Sequence, residues 1–252
     1  RRQKDLSGRV ATISQSGFSV VDVDLIFGIP GQTTNDIVSD FRTAVSCGAT
    51  QVSTYPFIDF TYAPNKRKPL GRGRKRALLD AILDVSDSLG FERTSVWTFA
   101  RSGTERYSSV TRDSYLGFGP GAASLLQTSF SINAFSVREY IRAVNAGLSP
   151  TALRVDLTPR ERKLFWLFWH SYNLDIGPAQ YAELFDEEHE FGAELRLGTM
   201  LGVVAHHDNV YTLTRRGAYL FHLIEQEYTN QYIDKVWRLS TETAWPRELV
   251  IR

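Results

Sequence analysis

The clearest pattern of apolar and polar positions is an apolar run at residues 20–27, which ends in the turn sequence GIPGQT at 28–33. The run is β-branched or bulky almost throughout, which is typical of a parallel strand covered on both faces. Only Asp22 and Asp24 interrupt it, and both lie on the same side because side chains alternate along a strand. The pattern predicts a buried strand that carries Asp24 to the mouth of an α/β barrel. Asp24 is then either a ligand-binding acid or a carboxylate satisfied by backbone amides or a nearby arginine.

Helical and strand patterns alternate over the first hundred residues. Helical spacing at 5–15 precedes the strand, and a second amphipathic helix around 37–45 precedes a strand at 51–57. A third helix at 76–89 leads into a strand at 94–99. This alternation predicts a parallel barrel or a doubly wound sheet, and therefore an α/β fold.

The pattern after residue 100 changes first to loops and then to helices. A glycine-rich bend at 116–123 lets backbone approach a ligand closely, although no Lys-Ser or Lys-Thr pair follows it as in a phosphate loop. Helices and a hairpin then resemble a winged-helix module, so we predict two domains, 1–135 and 136–252. The predicted elements are helices near 137–147, 158–169, 176–185, 187–201 and 215–237, and a hairpin at 203–213.

Composition and charge narrow the function classes. The 252 residues are 42% hydrophobic and 23% charged, and a formal net charge of +1 gives no general attraction to nucleic acid or membrane. The expected recognition helix would also repel phosphates, because it carries Glu187, Glu188, Glu190 and Glu194. With no apolar run long enough to cross a bilayer and no signal peptide, we predict no nucleic-acid partner, no membrane span and a cytoplasmic setting.

Other reactive side chains do not form a recognisable constellation. Cys47 is the single cysteine, and a buried position at a helix end is expected for it. His170 is expected in an apolar helix, whereas His206 and His207 are expected at an exposed hairpin tip without a third metal ligand. The sequence therefore predicts no catalytic residue and no metal ligand within this chain.

Three motifs carry a resemblance to a known family: DLIFGIPGQT at 24–33, FAR at 99–101 and YLGFGPGA at 115–122. In order and spacing they resemble the oxygen-independent coproporphyrinogen III oxidase family of radical S-adenosylmethionine enzymes. The segments LT at 157–158 and YTLTRRG at 211–217 are similar to that family's C-terminal domain. The resemblance implies the C-terminal part of a partial TIM-type barrel, followed by a mostly helical, winged-helix-like domain.

The resemblance also implies cofactors and the residues that bind them. The family uses S-adenosylmethionine and a four-iron four-sulfur cluster, which three cysteines of a C-x3-C-x2-C loop hold. This chain has only Cys47 and does not begin with Met, so we expect the cysteine loop upstream and an inactive fragment. By the resemblance, Asp24 binds the cofactor's ribose and Arg1 its methionyl end. Pro56 and Ala123 contact its adenine.

The implied function is oxidative decarboxylation of porphyrinogen propionates, with an electron donor such as a flavodoxin or a ferredoxin. Trp97 and Thr98 replace a histidine that is usual in the oxidases, and the sequence after Pro56 also departs from theirs. The alternative is therefore a haem-binding chaperone or a haem-modifying radical S-adenosylmethionine paralogue. Four basic residues either pair with substrate propionates or form a solvated loop and helix start: Arg72, Arg74, Lys75 and Arg76.

Overall fold

The structure is a computed structural model that describes residues 3–63, 69–105, 108, 112–186 and 190–249. Strand β1 (Asp22–Phe27) forms where the apolar run predicts it. Gly28, with a φ of +83°, turns the chain out of β1 toward helix α2 (Thr34–Ser46). Thr33 caps that helix in a capping box, because its hydroxyl accepts the Asp36 amide at 3.2 Å and the Asp36 carboxylate accepts the Thr33 amide at 2.9 Å.

The first of two compact units comprises 1–59 and 64–108. Its sheet has the strand order β1-β2-β4-β3, and β1 and β2 are parallel, as predicted. The other elements of this unit are α1 (Gln3–Ser14), β2 (Gln51–Pro56), α3 (Arg72–Ser88), β3 (Phe91–Arg93) and β4 (Thr98–Arg101).

The single strand predicted at 94–99 is wrong. The chain instead forms an antiparallel hairpin of β3 and β4, in which the Thr94 amide donates to the Thr98 carbonyl at 2.9 Å. Only residues 94–97 join the two strands, which is too short for the crossover that a parallel pair requires. Strand β4 inserts antiparallel between β2 and β3, so the strands that follow helices, β2 and β3, still run in the same direction as β1.

One face of this sheet forms the core of the first unit. Phe41 of α2 is fully buried, with its ring edge-on to Phe91 of β3 and Phe99 of β4 at 5.8 and 6.0 Å. Phe27 is also fully buried, whereas Asp22, Asp24 and Ile26 on the alternate positions of β1 are exposed. The expectation of a strand covered on both faces is therefore wrong within the part of the chain that the structure describes.

The second unit, 60–63 with 109–252, contains an antiparallel sheet that was not predicted from the sequence. Strands β5 (Ala123–Leu125), β6 (Ser129–Asn133) and β7 (Thr151–Asp156) pair in that order, and helix α4 (Val137–Asn145) lies between β6 and β7 in sequence. Strand β6 does alternate polar and apolar residues, but it has only five residues and the neighbouring β5 has three, which is too short for a clear strand pattern. The predicted domains, 1–135 and 136–252, remain a prediction.

The helices that follow have the element order expected of a winged helix. A capping box between Thr158 and Glu161 begins the first of them, and Asp208 and Asn209 form a two-residue hairpin turn at positive φ. The acidic helix predicted at 187–201 begins only at Gly192, and Glu187 and Glu188 lie outside the described residues. The elements are α5 (Pro159–Tyr172), β8 (Asp175–Ile176), α6 (Pro178–Phe185), α7 (Gly192–Met200), β9 (Val204–His207) and β10 (Val210–Leu213).

The last predicted helix, 215–237, is interrupted. Helix α8 (Arg215–Tyr228) passes through a π-helical turn, Thr229–Ile233, into α9 (Asp234–Glu242). Across the described ranges, no helix combines the length and apolar character needed to cross a membrane.

Candidate functional site

The face of β1 and β2 opposite the phenylalanine core carries the acid that the sequence singles out. Its β1 side chains and Tyr55 are exposed, whereas Gln51 and Ser53 are buried. The parallel register pairs Asp22 with Gln51, Asp24 with Ser53 and Ile26 with Tyr55. Because side chains alternate along each strand, these positions share the face opposite the phenylalanine core. The result is a polar surface flanked by one aliphatic and one aromatic side chain.

The two acids on this face have different environments. The Asp22 carboxylate accepts hydrogen bonds from the Gln51 amide and the Ser53 hydroxyl, both at 2.8 Å. The Asp24 carboxylate makes no hydrogen bond or ion pair with any residue that the structure describes. Partial burial, and then the nearby Asp22 carboxylate, raise the pKa of Asp24. The described residues therefore leave the oxygens of Asp24 unoccupied, whereas they satisfy those of Asp22.

Tyr55 supplies an aromatic wall beside Asp24, which the sequence analysis did not assign to the site. Its ring lies edge-on to Trp97 with centroids 5.8 Å apart, and 38% of the residue is exposed. Burial and then the charge of Asp24 raise the pKa of Tyr55, while a hydrogen bond with Ser53 opposes them. The register of β1 and β2 was the signal that could have placed Tyr55 here.

The ends of β1 and β2 are fastened by side chains. Gln32 closes the turn after β1, because its side-chain oxygen accepts the Gly28 amide at 2.7 Å and its side-chain amide donates to the Ile26 carbonyl at 3.3 Å. At the end of β2, the Phe57 carbonyl accepts a hydrogen bond from Lys75 Nζ at 2.9 Å. These bonds hold the strand ends where ligands bind in α/β sheets.

The four residues that the resemblance assigned to cofactor binding fall into three groups. Asp24 and Pro56 lie on adjacent strands of one sheet, although the Pro56 side chain is buried on the core face opposite Phe27. Ala123 is the first residue of β5 and belongs to the second unit. Arg1 lies outside the described residues. No role of these residues is tested by their positions alone.

The glycine-rich bend uses its backbone within the second unit. The Gly117 amide donates to the Ser124 hydroxyl at 3.0 Å and the Gly119 amide to the Tyr140 hydroxyl at 3.1 Å. Asn133 Nδ2 donates to both glycine carbonyls, and a Cβ at Gly117 would overlap the Ala123 carbonyl oxygen. These contacts explain the glycines by packing, and they occupy amides that a phosphate would need.

The basic cluster at the start of α3 separates into two kinds of residue. Arg72, Arg74 and Arg76 are exposed, and Arg76 forms a surface ion pair with Asp80 at 3.8 Å. Lys75 is half-buried, and burial lowers its pKa. The solvated interpretation therefore suits the arginines but not Lys75.

Among the residues that the structure describes, the histidines and the cysteine do not assemble a metal site. His170 is buried against Trp166, with ring centroids 3.9 Å apart, and His206 stacks on Tyr211 in the hairpin. Cys47 is half-buried at the end of α2. Within the described ranges, no group of three or more histidine, cysteine and acidic residues is arranged to hold a metal ion.

Comparisons with known proteins give two related sequences and one solved structure of similar fold. No protein-family model matches the chain. The chain is 26% identical over 150 residues to the heme chaperone HemW of Bacillus subtilis (strain 168), a match that covers 56% of this chain and 40% of that protein. It is also 26% identical over 160 residues to the heme chaperone HemW of Lactococcus lactis subsp. lactis (strain IL1403), covering 58% and 40%.

A solved structure decides the fold. The coproporphyrinogen III oxidase HemN from Escherichia coli, a radical SAM enzyme, matches with a TM-score of 0.68 and 14% identity over 90% of this chain. The predicted family resemblance is confirmed. The α/β fold, predicted as the C-terminal part of a radical SAM barrel with a mostly helical second part, is confirmed by the same match. The chain corresponds to 59% of the HemN chain and spans about 40% of the curated relatives.

Proposed function

We propose that this chain is part of a radical S-adenosylmethionine protein acting on tetrapyrroles, and that Asp24 binds the ribose of S-adenosylmethionine. The observation that carries the proposal is the Asp24 carboxylate, which lacks a partner among the described residues and lies on the exposed face of a HemN-like sheet. A carboxylate has two oxygens and accepts hydrogen bonds from both hydroxyls of a ribose. Its neighbours Ile26 and Tyr55 offer apolar surface to the rest of a nucleoside.

The residues of this chain fit the nucleoside part of the cofactor but not the iron-sulfur cluster. Cys47 is the only cysteine of the chain, whereas such a cluster needs several thiolates. When it is reduced by a bound cluster, S-adenosylmethionine supplies a 5'-deoxyadenosyl radical. The work proposed for this chain is to orient the ribose through Asp24 and to approach the adenine at the end of β2, where Pro56 lies. The adenine contact of Ala123 and the methionyl contact of Arg1 are part of the same proposal.

The comparisons support two alternatives for what the protein does with a tetrapyrrole. The likeness to HemN, a coproporphyrinogen III oxidase, favours oxidation of a porphyrinogen. We propose oxidative decarboxylation with electrons from a flavodoxin or ferredoxin, as the sequence resemblance implies. The likeness to two proteins named heme chaperone HemW favours haem binding by a chaperone. The alternative of a haem-modifying paralogue comes from the sequence resemblance. Under the proposal, the protein binds a tetrapyrrole and S-adenosylmethionine in both cases, so the test of Asp24 applies to both.

Replacing Asp24 with asparagine is expected to weaken S-adenosylmethionine binding about ten- to a hundredfold, because a charged acceptor for the ribose is lost. The fold should be retained, since the Asp24 side chain contributes no hydrogen bond to a described residue. Equilibrium dialysis under anaerobic conditions, on protein made from its complete reading frame, measures the affinity.

Asp22→Asn is the matched control, because it removes the same charge from the same face two residues away. It should leave the affinity within about threefold and lower the free energy of unfolding by about 1 kcal/mol, since Asp22 accepts bonds from Gln51 and Ser53. Unchanged affinity in Asp24→Asn, or an equal loss in both variants, would remove the ribose role from Asp24.

A further inference from the structure

Lys75 lies where the two strands of the candidate site end. Its Nζ donates to the carbonyl of Phe57, the residue after β2, at 2.9 Å. Its side-chain carbons lie against Gly28, the residue after β1, where an added Cβ would stand 3.2 Å from Lys75 Cγ. Gly28 has a φ of +83° and no side chain, so the lysine can cross the ends of both strands.

The ammonium of Lys75 is incompletely satisfied in this position. An ammonium has three donors, and within the described part of the chain Lys75 has one acceptor, a neutral carbonyl, and no carboxylate. It is half-buried, and partial burial of a charge is costly unless an opposite charge accompanies it. The neighbouring Arg76 contrasts with it, because Arg76 is exposed and paired with Asp80.

We propose that Lys75 binds a carboxylate of the ligand that enters at the ends of β1 and β2. This inference rests on the proposed function, under which tetrapyrrole propionates are the carboxylates brought to this end of the sheet. A propionate would supply the opposite charge and the acceptors that the described residues do not. S-adenosylmethionine also carries a carboxylate, so the source must be distinguished by experiment.

The test compares a porphyrin with free propionates and the same porphyrin without them. Binding of iron mesoporphyrin IX and of its dimethyl ester is measured by absorbance titration for the wild-type protein and for Lys75→Met. The wild type should bind the free acid about tenfold more tightly than the ester, and Lys75→Met should lose this preference by weakening the acid alone. Lys75→Gln, which can still donate to the Phe57 carbonyl, should behave as Lys75→Met does.

Arg76→Met is the control, because it removes the same charge one residue away and should keep the preference for the acid. An equal loss of affinity for acid and ester in Lys75→Met would show a purely structural role and overturn the proposal. A loss of S-adenosylmethionine affinity with the acid preference intact would assign the lysine to the cofactor and overturn the propionate assignment. Failure of the wild type to bind either porphyrin would overturn the proposed function, and this assignment with it.

Discussion

Replacing Glu225 with glutamine is expected to remove most of the pH dependence of the second unit's stability between about pH 5 and pH 8. Glu225 lies on α8, is 4% exposed, and its Oε2 has no hydrogen-bond partner among the described residues. Burial raises the pKa of this carboxyl to about 8. The folded protein therefore holds the acid in its neutral form at neutral pH, near the side chain of Tyr228.

The sign of the effect follows from proton binding. Between the ordinary pKa of 4.5 and the folded value of about 8, the folded state binds a proton that the unfolded state has released. The stability that this proton contributes is fully present below the pKa of the unfolded state. It is lost as the pH rises to the pKa of the folded state, a loss of roughly 3 to 5 kcal/mol in the free energy of unfolding. Burial, and then the charge of Glu225, raise the pKa of Tyr228 to about 12, and burial also raises the pKa of Tyr115. Both tyrosines therefore stay neutral over this pH range.

Urea unfolding at several pH values, followed by tryptophan fluorescence, measures the effect. Four of the five tryptophans, all except Trp97, belong to the second unit, so the signal reports mainly on it. Glu227→Gln is the control, because Glu227 is exposed on the same helix and should keep the wild-type slope. Parallel stability profiles for the wild type and Glu225→Gln would show that this carboxyl does not titrate with folding.

Replacing Asp234 with alanine is expected to destabilise the second unit by about 2 to 3 kcal/mol, because two charge-assisted hydrogen bonds are lost. Asp234 begins α9 and is 6% exposed; its carboxylate accepts the Thr61 amide at 2.8 Å and the Thr61 hydroxyl at 2.6 Å. Beside this contact, the ring of Phe60 stacks on Trp237 with centroids 5.5 Å apart. The carboxylate thus fixes residues 60–63, which belong to the second unit.

Thr61→Val separates the two hydrogen bonds of Asp234. It removes the hydroxyl and keeps the backbone amide, so it should cost about 1 kcal/mol, less than Asp234→Ala. In the double variant the two losses should not add, because both variants remove the hydroxyl contact. Chemical denaturation of the four proteins gives the cycle, and a change within about 0.5 kcal/mol for Asp234→Ala would contradict the anchoring role.

Local signals were sufficient for the part of the site that the sequence predicts. Each signal involves only residues that are close in sequence. The apolar run predicts β1, Gly28 predicts the turn, and Thr33 with Asp36 three residues later predicts the start of α2. That Asp24 lies on the face opposite Phe27 also follows from alternation along the strand, although the sequence predicted that face to be covered. The sequence does not predict that Asp24 lacks a partner among the described residues, because Asp22 could equally have been the acid left without hydrogen bonds.

Features that depend on tertiary contacts were not predictable. Strand β4 is not preceded by a helix, so the alternation of helices and strands does not predict it. Its position beside β2 is set by hydrogen-bond pairing across the sheet. Lys75 stands in sequence among arginines, and only the close approach of α3 to Gly28 separates it from them. The buried carboxyl of Glu225 likewise lies in a helix whose spacing looks ordinary, since its burial depends on the packing of other elements.

The measurement that tests the central claim most directly is release of 5'-deoxyadenosine from S-adenosylmethionine by protein expressed anaerobically from its complete reading frame. Coproporphyrinogen III and haem are supplied in separate reactions, and Asp24→Asn is assayed beside the wild type. We expect one of the two tetrapyrroles to stimulate release of 5'-deoxyadenosine. Asp24→Asn should reduce this release when S-adenosylmethionine is limiting. No release despite an intact cluster, with neither tetrapyrrole nor S-adenosylmethionine bound, would contradict it, whereas tight haem binding without release would select the chaperone.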